Sequence, residues 1–349
     1  MNKKLSIFAI VLIVVGLIGS IWSGFFSMPY FINKFQNYDQ IVNKETTVYN
    51  ENVNVNKLKV EALNTNIEIL KSDSDNIQIK TKGLEDNSEI NVISDDNTIT
   101  VEEKYIENNA KIKSMDDFVD KLMEETFSNH RNTIIIYVPN KVDIDINSKG
   151  YMVNIEDDIF LNEFNFNTSS SYLSLPREVK NLKNMNITAS NSISLQLNEL
   201  LGIKNVTINC SELNIYSDTC NINDVEKYIP DNITINSDNL SNGYVNISST
   251  LPICKNLIVN GYKSSVDLNL PLDRYKFNFD LQALDSIELN DYMSNIIGNN
   301  DKNKSDNNME YNDEDTNNLN EVKEIKRIIN ENKKEEYKIN ISASNINFE

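Results

Sequence analysis

The chain is poor in the residues from which most catalytic and metal centres are built. It has one histidine, His130, four arginines (Arg131, Arg177, Arg274 and Arg327) and three cysteines. A two-histidine metal site cannot be assembled, and no Ser-His triad is marked out. His130, beside Arg131, reads as a helix-end side chain meeting terminal carbonyls. Cys210, Cys220 and Cys254 have no C-x-x-C spacing. Either Cys210 and Cys220 pair and leave Cys254 odd, or all three bury as small apolar side chains.

Basic charge is scarce as well. Thirty-three Lys and Arg stand against 52 Asp and Glu, a formal charge of −19. Such a surface repels phosphate backbones, which excludes nucleic acid, and it repels anionic lipid headgroups, which holds a domain off the membrane surface. Carboxylates are plentiful, yet no pair is singled out for glycosidase chemistry. Four arginines are few for a β-helix enzyme acting on acidic polysaccharides, so such an enzyme is the alternative class and no cofactor is expected. Nine glycines leave many turns to Asn, which tolerates left-handed backbone and bonds its own chain.

What the chain does have is a repeat. Short alternating runs recur as Phe164-Asn-Phe166, Met185-Asn-Ile187, Val206-Thr-Ile208, Ile233-Thr-Ile235, Leu257-Ile-Val259, Phe277-Asn-Phe279 and Ile339-Asn-Ile341. Each is followed by a second run, such as Ile193-Ser-Leu195, Leu213-Asn-Ile215, Val245-Asn-Ile247 or Val266-Asp-Leu268. Starts fall mostly roughly 20 to 27 residues apart, a spacing that signals stacked supersecondary units. Strict alternation buries one face only, so each unit needs neighbours to hide its apolar row. The expected fold is all-β: a β-solenoid, a single-stranded β-helix-like stack of strand-turn-strand repeats. Ile187, Ile208 and Ile235 should point inward, and Asn186, Thr207 and Thr234 outward.

Residues Leu5 to Met28 form an uncharged apolar run long enough to cross a bilayer as a helix. Lys3 and Lys4 precede it, which predicts a single-pass cell-membrane protein with its N-terminus inside and its domain outside. Trp22 and Tyr30 are placed as interfacial anchors, and Gly16, Ser20 and Gly24 form a small-residue stripe along which helices pack. A cleaved signal peptide is the competing reading. The run exceeds a usual signal core, and no A-x-A-like site follows it. The expected organisation is a cytoplasmic 1–4, a transmembrane signal-anchor 5–28, a spacer 29–57, and an extracytoplasmic domain 58–349 with insertions near 107–131 and 295–336.

In the first insertion, Ser114 precedes Asp117 by a capping-box spacing, and Phe118, Val119, Leu122, Met123 and Phe127 follow at helical spacing. This predicts a helix over the end or flank of the stack. Ahead of it, Leu58–Ile69 and Ile77-Gln-Ile79 read as strands joined by the turn 72–76, and Ile90–Val101 as a hairpin turned at 95–97. The second insertion is polar through Asn318. Leu319, Val322, Ile325 and Ile329 then predict a short helix, after which a last strand pair completes the stack. Asp313, Asp315, Asn317 and Glu324 occupy positions 1, 3, 5 and 12 of a calcium-loop spacing. Asn318 stands where that loop needs Gly, so an acidic solvated loop is the plainer reading.

Units such as Val60-Glu-Ala-Leu-Asn-Thr-Asn-Ile-Glu-Ile69 and Ile90-Asn-Val-Ile-Ser-Asp-Asp-Asn-Thr-Ile-Thr-Val101, behind a lone N-terminal anchor, resemble the bacterial "putative adhesin" family of β-strand repeats. That family is also called toastrack and includes LiaG-like envelope proteins of Gram-positive bacteria. The resemblance spans about Leu58 to Glu349, with the two insertions as departures. It implies a membrane-tethered extracytoplasmic β-solenoid and transfers no catalytic residues. The expected function is non-catalytic binding or scaffolding at the cell envelope, adhesin-like or accessory to envelope-stress signalling. Its partners would be the lipid bilayer through the N-terminal helix, an envelope or membrane protein, or a cell-wall or surface ligand. The alternative is a self-assembling structural solenoid, a bactofilin-like polymer.

Overall fold

Period-two alternation carries straight into the architecture. The computed structural model describes residues 16, 22, 24, 25, 27–37, 40 and 43–349, apart from 75, 84–87, 106–111, 128–131, 140, 170, 218–223, 238–242 and 302–321. Strands Lys57–Ala62, Val142–Ser148, Phe160–Thr168, Leu182–Ala189, Ile203–Asn209 and Asn232–Asn236 pair in parallel, each with the next. The last pairs with the first half of Asn256–Asn269. The register matches the repeat residue by residue: Phe166, Ile187, Ile208, Ile235 and Val259 form one continuous row. Ile187, Ile208 and Ile235 are each 0% exposed, and the partners of their alternation face outward.

A second row of strands faces the first across the apolar core. It comprises Asn66–Lys71, Met152–Ile155 and Tyr172–Ser174, then Ser192–Gln196, Glu212–Tyr216, Tyr244–Ser248 and the second half of Asn256–Asn269. Where the chain turns from one row to the other the corner is narrow and small residues fill it. Ala62, Ser148, Thr168 and Ala189 lie in register, as do Gly261, Ala343 and Ala283. Buried corner hydroxyls satisfy one another: Ser148 Oγ lies 2.8 Å from Ser171 Oγ, and Ser237 Oγ donates to Ser264 Oγ at 2.7 Å. At Gly150 an added Cβ would fall 2.1 Å from the Thr65 carbonyl oxygen, so only glycine lets these two turns touch.

The ends depart from chain order. Strand Glu336–Phe348 does not complete the stack. It inserts between Asn256–Asn269 and Lys276–Glu288, parallel to both. Lys276–Glu288 is therefore the outer coil, and Lys323–Ile329 closes it as an antiparallel edge. The short helix expected around Leu319–Ile329 is thus a strand at 323–329. Ile325 and Ile329 also share a face at period two, they pair opposite Leu281 and Phe277, and β-branched side chains suit an open sheet edge. Four of its seven residues are Lys, Glu or Arg, which blunts that edge. An unexpected helix, Asp291–Asp301, follows the outer coil.

At the other end the hairpin Ser88–Asp95/Thr98–Tyr105 forms as expected, with Asp96 left-handed at φ 47, and lies outside Lys57–Ala62. The strands flanking the turn 72–76 are not a hairpin. Thr133–Val138, almost continuously apolar, enters between them, parallel to Asn66–Lys71 and antiparallel to Ile77–Lys82. The segment expected as a spacer holds helical residues, α1 (27–37), and the strand Glu45–Glu51, antiparallel to Ile77–Lys82.

Helix α2 (Met115–Phe127) has the expected cap: Ser114 Oγ accepts from the Asp117 amide at 3.0 Å and Asp117 accepts from the Ser114 amide at 2.9 Å. Two of its described side chains, Asp116 and Asp120, make polar contacts with α1. Tyr30 donates to Asp116, and Lys34 Nζ sits 2.7 Å from Asp120. Tyr30 and Lys34 lie one turn apart on α1, as Asp116 and Asp120 do on α2, so the two rungs align. Most of the apolar run 5–28 lies outside the described residues. Among those described, no helix is long and apolar enough to cross a membrane.

Candidate binding face

On the outer side of the first row, register turns single residues into columns. Asn184, Asn205, Asn232 and Asn256 form one column. The last three each donate an amide to the preceding carboxamide: Asn205 to Asn184 at 3.0 Å, Asn232 to Asn205 at 2.8 Å and Asn256 to Asn232 at 3.1 Å. A second column is Thr188, Asn209, Asn236 and Asn260, with steps of 3.3, 2.8 and 2.8 Å. Between them runs Asn165, Asn186, Thr207 and Thr234, the first two bonded at 2.9 Å, ending at the exposed Ile258. The Asn excess is therefore placed on strands as well as in turns. Its signal in the sequence is recurrence at a fixed offset from each apolar pair.

Within the three columns charge falls at the two ends, while Lys183, Lys204, Asp231 and Lys255 stand one residue before the first column in the four middle coils, with Lys255 Nζ 2.7 Å from Asp231. Lys59, Glu61, Glu102, Asp145 and Glu163 stand at one end, and Lys338, Asp280, Lys326 and Glu324 at the other. The four coils between present no ionisable side chain in these columns.

Two buried clusters hold coils and turns in place. Glu103 is buried, and its Oε2 accepts from the amides of Leu63 and Asn64 at 2.7 and 3.0 Å and from Thr65 Oγ1 at 2.9 Å, pinning the turn that Gly150 approaches. Glu199 is buried within α3 (Leu197–Leu200), and Lys180 is buried beside it, its amide donating to the Leu201 carbonyl at 3.0 Å. Burial pulls the Lys180 amine down to about 8, against the pull of Glu199, Asp158 and Glu178. Burial raises the Glu199 carboxyl, although the amides of Gln196 and Leu175 donate to it at 2.7 and 3.3 Å. Gly202, at φ +79, lies against the Lys180 backbone, where a Cβ would meet the Lys180 carbonyl oxygen at 1.8 Å. Neither Glu103, Lys180 nor Glu199 stands out in the sequence, because their burial follows from coil stacking.

The residues singled out by sequence are scattered. Gly16, Trp22, Gly24 and Met28 are helical and exposed, while Leu5 and Ser20 lie outside the described residues. Asp313, Asp315, Asn317, His130 and Cys220 also lie outside them. Glu324 sits on a strand rather than at the start of a helix. It accepts from Lys326 at 2.6 Å and from Gln282 at 3.4 Å. Among the described residues no group of three or more His, Cys, Asp or Glu side chains could hold a metal ion. Cys210 and Cys254 are free and buried, and desolvation pushes the Cys210 thiol up to about 12.

A family model described as "Toastrack DUF4097" matches residues 55–347. Among solved structures, one titled a "putative adhesin" from Bacteroides fragilis is 15% identical, covering 64% of this chain and 88% of that one at a TM-score of 0.31. One titled a "putative cell adhesion protein" from Clostridium sporogenes is 14% identical, covering 88% and 98% at a TM-score of 0.19. No curated protein matches the sequence.

Proposed function

The chain belongs to the toastrack DUF4097 family, and on that premise we propose that it is a non-catalytic β-solenoid binding module held outside the cell by its N-terminal helix. The observation that carries this reading is the ladder face. It is a rigid polar surface repeated coil after coil, whose side chains are fixed by bonds along the columns. Buried acids and the buried lysine are engaged by backbone groups instead of converging on a cleft. The uncharged run Leu5–Met28 behind Lys3 and Lys4 supports a single-pass anchor with the domain outside, and a charge of −19 supports a domain standing clear of anionic headgroups. End-to-end polymerisation is disfavoured by the charged edge strand Lys323–Ile329 at one end.

Two measurements test the proposal. Protease added to intact protoplasts should digest the domain, and full protection of residues beyond 60 would overturn the outside placement. Full-length protein in detergent should co-sediment with isolated cell envelopes stripped of lipid. Failure to do so would remove the binding role.

A further inference from the structure

Across the coils that begin at Asn184, Asn205, Asn232 and Asn256, the three outer columns comprise eight Asn, three Thr and Ile258. Nearly a quarter of the chain is charged, at 24%, and its net charge is −19, yet these twelve positions carry none of it. An uncharged carboxamide and hydroxyl surface in so acidic a protein selects its ligand by exclusion. Polyanions are repelled by the net field, and the lysines beside the first column, Lys183, Lys204 and Lys255, make the alginate arm of the test below decisive. Polycations find their partners at the acidic ends of the face, at Glu61, Glu102, Asp280 and Glu324, not on the ladders. Protein partners favour interface cores rich in aromatic residues, Met and Arg, and the twelve positions hold none of these.

The ladders also set how the face presents its polar groups. A carboxamide has two N–H donors and two acceptor lone pairs. Asn232, Asn236 and Asn260 each commit one donor to the preceding rung, at 2.8 Å, and this holds the side chain in one orientation with hydrogen-bonding capacity left for solvent or ligand. Coils are spaced by about 4.8 Å, so the groups repeat with a fixed step along about 14 Å. Fixed side chains lose little entropy on binding, which favours a ligand that is itself periodic.

We propose that this ladder face binds an uncharged, polyhydroxylated polymer, a neutral glycan chain laid along the columns with its hydroxyls exchanging hydrogen bonds with Asn186, Thr207, Asn232, Thr234 and Asn236. The assignment rests on the binding-module reading and names its ligand class. The absence of aromatic side chains among these positions means that contact is made by hydroxyl-to-amide bonds and not by ring stacking.

The test is co-sedimentation of the full-length protein in detergent with cellulose, chitin and amylose, which are uncharged, and with alginate, which is anionic. The wild type should be retained by at least one uncharged polymer and not by alginate. Retention should hold from about 50 to about 500 mM salt, where exposed charge pairs are screened. Thr207→Glu/Thr234→Glu, and separately Asn186→Glu, should weaken retention about tenfold or more in variants that remain folded, as a cooperative melt and protease resistance show. Retention by alginate alone, by no uncharged polymer, or equally by folded wild type and variants overturns the assignment, as does ladder-dependent self-association without polymer. If isolated envelopes retain wild type and variants alike, the module binds elsewhere and this face is wrong. If they retain neither, the binding reading falls with it.

Discussion

Asn236 donates its side-chain amide to Asn209 Oδ1 at 2.8 Å across 27 residues of sequence, and Asn260 repeats the bond to Asn236 at the same distance. One residue type at one offset from each apolar pair thereby becomes a continuous ladder.

The ladder should be measurable as coupling. Asn209→Ala and Asn236→Ala should each cost about 1 kcal/mol, the net worth of a typical hydrogen bond. The double variant should cost less than the sum, with an interaction of roughly 0.5 kcal/mol or more. Chemical denaturation of the four proteins reads it, and strict additivity would show that the bonds are not made in solution.

Inward and outward positions should separate sharply. Ile208→Asp would bury an unpaired carboxylate between Ile187 and Ile235, all three positions being 0% exposed, and folded protein should be lost. Thr207→Asp, one residue away and outward, should stay within about 0.5 kcal/mol of wild type. Soluble yield and protease resistance report both, and equal sensitivity would mean that the outer face is covered.

Lys180 makes stability depend on alkaline pH. Its amine is held at about 8 when folded against 10.5 ordinarily, so between those values the unfolded chain keeps a proton that the folded chain has released. Stability from this group therefore rises with pH through that window, and below 8 the full penalty of the buried cation, on the order of 3 kcal/mol, is present. Cys210 works the other way above its usual thiol range, because burial keeps it protonated when folded. The comparison that isolates Lys180 is with Lys180→Met: wild type should gain on the variant as pH rises from 8 to 10.5. A constant difference across the window would mean that Lys180 is solvated.

The C-terminal strand should matter far more than the tract before it. Removing 302–318 with a short Gly/Ser bridge deletes polar sequence, and the melting temperature should hold. Ending the chain at Glu335 empties the slot between Asn256–Asn269 and Lys276–Glu288, and amides of both strands should lose exchange protection. Retained protection after that truncation would show that the outer coil docks directly on Asn256–Asn269.

Alternation in this sequence specifies which face of each strand is buried, because side chains switch sides at every residue and only one side is apolar. Ile187, Ile208 and Ile235 inward, Asn186, Thr207 and Thr234 outward, and the Ser114 cap of α2 all follow from local pattern. Alternation does not specify neighbours. Every strand offers the same backbone edge, so nothing local tells Glu336–Phe348 to enter the slot before Lys276–Glu288. Nor does anything local tell Thr133–Val138 to wedge between Asn66–Lys71 and Ile77–Lys82, which a short turn joins. Ile325 and Ile329 satisfy helical and strand periods equally, and the open edge of Lys276–Glu288 decides between them. The ladders and the burial of Lys180 and Glu103 arise at the same level, because each needs two coils in register before its partners exist.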